Sequence, residues 1–182
     1  MNITLHSDDP LNTIISNSSN GAPMYHTETH KVVDKTTHLK KFTPGTQGSQ
    51  DLAEIHWETM TFHSPKLLYR GQQLRVSEFL VKDGIFKSYR TFFASDGNQY
   101  TWKCDSLQKF TLLDSSKNVI VESHKDHAGI FHKAQNYNID VMSAGLSILD
   151  DIIVSFIIVR HLEMKKRTDE TNVVVTGAII NS

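Results

Sequence analysis

Cysteine is almost missing from this sequence: Cys104 stands alone, so no internal disulfide can form and a small disulfide-stapled secreted domain is excluded. Proline is sparse, with 4 among 182 residues. Neither sign of charge dominates, because Lys+Arg 19 against Asp+Glu 20 leaves a net charge of −1. The halves are balanced too: residues 1–91 carry 10 basic and 9 acidic residues, residues 92–182 carry 9 and 11. No basic field for a polyanion follows, and a nucleic-acid partner is not expected. The opening MNITLHSDDP has no basic stretch leading into an apolar one. No signal peptide is therefore expected, the sequons at Asn2 and Asn17 are expected to stay unmodified, and the location is expected to be cytoplasmic. Long hydrophobic runs are absent as well, none approaching the roughly 20 residues that span a bilayer. No G-x-S-x-G, P-loop or dinucleotide glycine fingerprint occurs, so no enzyme is expected.

What the chain does have is short alternating segments. With 38% apolar and 21% charged residues it can build a core, as one domain over residues 1–167 and a tail over 168–182. Residues 1–142 read as short strands broken by turn signals. Met24–Thr29 alternates behind the turn pair Asn20-Gly21, and HKVVDKTTHLKKF suits an exposed or edge strand. Leu52–Met60 puts Ala53, Ile55 and Trp57 on one side and Glu54, His56 and Glu58 on the other. Gln73–Leu80, TFFAS, QYTWK, FTLLD and NVIVES continue the series, with turns at Asp83-Gly84 and Asp96-Gly97-Asn98.

The pattern changes at Ser147–Arg167. Ser147 and Asp150 fit a capping box, aspartates open the segment, and Lys165, Lys166 and Arg167 close it, as the helix dipole favours. Ile152 to Val159, broken only by Ser155, is apolar in every direction around a helix axis, so such a helix must be buried on all sides. A membrane span is rejected on length and on the flanking charges. A buried strand stays open, since Ile and Val also favour sheets. In the tail, Val173 to Ile180 reads as an added strand, in the sheet or between chains, or as a frayed end. Strands followed by one all-apolar helix predict a mainly β fold, an antiparallel β-barrel closed around that helix.

The segments SDDPLNT, LAEIHWE, DGNQYTWK and LSILDDIIVSFIIVRHLEMKKR resemble a fungal family of unknown function found in mushroom-forming fungi. That family in turn resembles the tubby, LURP-one and phospholipid-scramblase group, whose barrel encloses a hydrophobic C-terminal helix. The resemblance spans residues 3–167 and carries no catalytic set. A mushroom pigment protein resembles the same family, which implies a noncovalently held aromatic chromophore.

The aromatic side chains supply the candidate site. Trp57, Phe93, Tyr100, Trp102 and Cys104 are the expected ligand contacts, with Phe92, Phe131 and Tyr137 as further flat surfaces. Arg70, Arg75, Arg90 and Lys103 are candidates to hold an anionic head group on the outside. Cys104 beside Lys103 is a weak nucleophile candidate, because strand neighbours face opposite ways. For a metal, His124, Lys125, Asp126, His127 and His132 form the densest cluster. His26 and His30 share a strand face but lie too far apart to chelate easily, and His56 reads as cross-strand packing or a titrating surface group. The expected function is a non-enzymatic protein carrying a small hydrophobic or aromatic molecule. The alternatives are a peripheral phospholipid-binding module, or a self-associating protein joined through the tail.

Overall fold

The computed structural model describes residues 1–30, 35–43, 45, 48–57, 64–82, 89–105, 109–125 and 137–180. Five strands lead: β1 (Asn2–Leu5), β2 (Thr13–Asn17), β3 (Pro23–His30), β4 (Lys35–Phe42) and β5 (Ser49–Trp57). A hairpin of β6 (Lys66–Tyr69) and β7 (Gln72–Arg75) runs into the one-turn helix α1 (Val76–Phe79) and the two-residue β8 (Val81–Lys82). There follow β9 (Tyr89–Phe93), β10 (Gln99–Cys104), β11 (Phe110–Leu113), β12 (Val119–Lys125) and β13 (Tyr137–Val141). A 3-10 turn over Ser143–Ile148 then feeds the long helix α2 (Leu149–Ile180).

All 13 strands join one antiparallel sheet in the order β7-β6-β5-β4-β3-β2-β1-β13-β12-β11-β10-β9-β8. Strand alternation sets its inner face. Ala53, Ile55 and Trp57 of β5 are buried while Glu54 and His56 face out, as the period of two requires. The turns also follow the sequence: Gly21 and Gly97 have φ of 70° and 77°, a conformation open to glycine at little cost.

The sheet curls around α2. Ile152, Ile153, Val154, Phe156, Ile157 and Ile158 are fully buried, and Val159 is 2% exposed. Side chains from both halves of the strand order reach the helix. The Trp57 ring lies 4.4 Å from His161, while Trp102 and Tyr137 lie 5.5 and 6.0 Å from Phe156. A helix apolar all round has found a wall on every side. Among the described residues, no helix is long and apolar enough to cross a membrane.

Four expectations need correction. The sheet is not a closed barrel: β7 and β8 are its two edges, joined by α1 and not by a ladder, and β8 is only two residues long. Within Gln73–Leu80 the strand stops at Arg75, where Glu78 Oε2 accepts the Arg75 N–H at 2.8 Å and starts a helical turn. Asp150 does not cap its own helix; its carboxylate is taken by Tyr25 and Lys41. The segment Val173–Ile180 is neither strand nor frayed end but the last turns of α2. Elongating an existing helix fixes few dihedrals per new hydrogen bond. Thr168 and Thr171 hydroxyls donating to the Met164 and Arg167 carbonyls, and a Lys166–Glu170 pair at 3.8 Å, carry it past the basic run.

Candidate ligand site

Among the described residues α2 fills the interior, and two cavities lie outside the core. The head of α2 opens into a cavity of about 1050 Å³. Its floor is a polar network. Asp151, 1% exposed, accepts through Oδ1 from the Tyr69 hydroxyl at 3.0 Å and from Arg70 Nη2. Through Oδ2 it accepts from the Ser95 backbone N–H at 3.1 Å and the Ser95 hydroxyl at 2.8 Å. Asp150 accepts from the Tyr25 hydroxyl at 2.6 Å and Lys41 Nζ at 2.8 Å. A buried carboxylate with four donors is compensated, and these are charge-assisted bonds, the stronger kind.

The strand order gives Asp151 a second role. Tyr69 and Arg70 belong to the β6–β7 hairpin at one edge of the sheet, and Ser95 to the β9–β10 turn near the other. One carboxylate on the helix therefore ties together two edges that no ladder joins. Arg70 adopts φ 54°, in the left-handed region that non-glycine residues seldom enter, and its guanidinium carbon lies 4.8 Å from the Tyr69 ring centroid. The strain at Arg70 is offset by the clasp it completes.

Burial, reinforced by the neighbouring carboxylates Asp150 and Asp151, raises the phenol pKa of Tyr25 and Tyr69 well above the ordinary range. Both remain neutral donors. Above this floor the wall is mixed, with Met24, Phe42, Leu52 and Leu146 beside Lys41, Asp51 and Arg70. The arrangement suits a molecule with an apolar body and a few polar groups.

The five expected ligand contacts are not brought together. Trp102 is fully buried against Phe156 and donates Nε1–H to Ser155 Oγ at 2.9 Å. Trp57 donates Nε1–H to Thr37 Oγ1 at 2.8 Å and packs on His161. Tyr100 is 6% exposed, donates to Asp96 Oδ2 at 2.8 Å, and has its phenol pushed up to about 12 by burial and that carboxylate. Cys104 is half-buried, and burial followed by the Glu163 charge pushes its thiol up to about 11, which makes it a poor nucleophile. Phe93 alone lines open space. It is 66% exposed on a cleft of about 470 Å³ between α1, β8 and β9, with Leu74, Phe79 and Val81.

The basic residues do not gather outside either. Arg70 is held by Asp151, and Lys103 Nζ lies 5.2 Å from the Tyr89 ring centroid. Arg90 is 9% exposed with Nη2 3.7 Å from Glu163, and Arg75 is exposed. Of the histidine cluster, His124 Nδ1 lies 3.5 Å from Asp140 Oδ2, and only the backbone of Lys125 is described. Asp126, His127, Phe131 and His132 lie outside the described residues, as does the Asp83-Gly84 turn. Sequence reasoning missed the floor residues Tyr25, Lys41, Tyr69 and Asp151, and named Arg70 only as a head-group contact on the outside. The one available signal was the Asp150-Asp151 pair opening an apolar helix, which a capping box and the helix dipole also explain.

No curated protein and no solved structure matches the chain. The family model described as a family of unknown function, DUF6593, matches residues 8–165, and the chain belongs to that family.

Proposed function

We propose that the protein is a non-enzymatic carrier of a small hydrophobic or aromatic molecule, held noncovalently in the cavity at the head of α2. The observation that supports this reading is the cavity itself: about 1050 Å³, walled by apolar and polar groups over a floor whose donors and acceptors are already matched. A floor so constrained keeps its shape when empty, which lowers the ordering cost of binding. The high phenol and thiol pKa values support a role without nucleophilic chemistry. The resemblance to mushroom proteins, a pigment protein among them, supports a planar and coloured ligand. The same resemblance extends to the tubby and scramblase group, where the bound species is a phospholipid.

The test is to purify the full chain from the organism that makes it and compare native with denatured mass and visible absorption. We expect an added mass or an absorption band that denaturation releases. Leu146→Trp, at an exposed position on the cavity wall, is expected to remove it, and Phe93→Ala at the separate cleft to leave it in place. A preparation with no extractable small molecule overturns the reading. Flotation with anionic vesicles at low salt replaces it with the phospholipid alternative.

A further inference from the structure

The matched pairs at the head of α2 leave one kind of polar group over. Both Asp151 oxygens are filled, one by Tyr69 and Arg70 and the other twice by Ser95. Each Asp150 oxygen also holds a donor, from Tyr25 or from Lys41. The hydroxyl hydrogens of Tyr25, Tyr69 and Ser95 are spent on these carboxylates. The cations are not used up. An ammonium carries three donors and a guanidinium five, and the carboxylates take one from Lys41 and one from Arg70. Both side chains line the cavity and are 35% and 39% exposed, so their spare N–H groups are open to a bound molecule. They belong to one network, because Asp150 and Asp151 are consecutive and the Tyr69 phenol feels the charge of both.

Neither sign of charge suits a ligand there. Among the described lining residues, the cations Lys41 and Arg70 stand against three carboxylates, Asp51, Asp150 and Asp151. An anion would add to that negative excess, and a cation would meet the very groups that hold the free hydrogens. A neutral acceptor avoids both costs. We propose that the cavity selects an uncharged hydrophobic molecule whose polar end is a carbonyl oxygen, seated on the spare hydrogens of Lys41 and Arg70. This selection rests on the carrier reading and narrows its ligand to one chemical class. Met24, Phe42, Leu52 and Leu146 cover the apolar body. A hydrogen bond from a charged donor is stronger than one between neutral groups, so the carbonyl end sets the orientation. Arg70 is already fixed, stacked on the Tyr69 ring and bonded to Asp151, and loses little freedom on binding.

The experiment titrates the recombinant full chain with three fluorescent naphthylamines that differ in one substituent: a propionyl ketone, a hydrogen, or a carboxylate. Calorimetry and the emission shift give each affinity. The ketone is expected to bind about tenfold tighter than either of the others. Lys41→Met should bring the ratio of ketone to unsubstituted ring close to one, and a ratio read on one preparation cancels any loss of folded protein. Leu146→Trp should abolish the preference, and Phe93→Ala should leave it. Equal affinities, a carboxylate that binds tightest, or a ratio that Lys41→Met leaves unchanged overturns this selection while the carrier reading stands. Failure of all three to bind overturns the carrier reading itself, and the selection with it.

Discussion

One helix lies in two opposite surroundings. Between Asp151 and Arg160 every residue of α2 is buried, whereas from Lys165 to Asn172 all but Arg167 are exposed. The backbone does not register the boundary: over its 32 residues, about 48 Å, it is continuous. Local hydrogen bonding propagates a helix, and packing decides only which part of it stabilises the fold. The buried half should therefore dominate stability, and the exposed half should tolerate change.

The largest effect is expected from Ile157→Asp. Ile157 is fully buried, and an unpaired carboxylate there costs several kcal/mol, comparable to the whole stability of a small domain. We expect no cooperative unfolding transition in urea; a normal transition would place this half of α2 on the surface. Asp151→Ala comes next. It removes the acceptor for Tyr69, Arg70 and Ser95, and Arg70, being 39% exposed, recovers part of the loss in water. A loss of about 2–4 kcal/mol is expected from the urea midpoint. Hydrogen exchange should rise at both β7 and β9, because the clasp joins the two edges. Exchange rising at one edge alone would show that the seam is held elsewhere.

His161 sharpens the comparison at the boundary. Burial, then the Lys35 charge, pulls its pKa down from 6.5 to about 4. The unfolded chain thus binds the proton more readily, so this contribution is complete above pH 6.5 and lost as pH falls toward 4. Urea midpoints at pH 7 and pH 5 should differ, and His161→Phe should shrink the difference. An unchanged difference would assign the pH dependence to other groups. The smallest effect belongs to the exposed half. Lys166→Ala breaks the pair with Glu170, both largely in water, for about 0.3–0.5 kcal/mol by thermal unfolding.

Much of the fold was legible. Alternation in Leu52–Trp57 and the turn glycines Gly21 and Gly97 marked strands and hairpins, and the run Ile152–Val159 marked a helix surrounded by protein. Five strands carried weaker signals and were not singled out: β1, β2, β6, β8 and β13 span two to five residues each. The aromatic residues could not be sorted into core and surface from the sequence. Trp57, Tyr100 and Trp102 were chosen as ligand surfaces, but each has its polar atom satisfied inside the protein, so they complete the core. The cavity floor was not legible, since its bonds join residues 56 to 125 positions apart.

Side-chain periodicity and the all-round apolar character of Ile152–Val159 were enough to specify which faces must leave water, because burial follows from composition along a few consecutive residues. Whether the sheet edges meet, what holds the seam, and which polar groups converge at the head of α2 were settled by folding alone. Those outcomes depend on register between distant strands, and a shift of one residue would turn every one of these side chains to the opposite face.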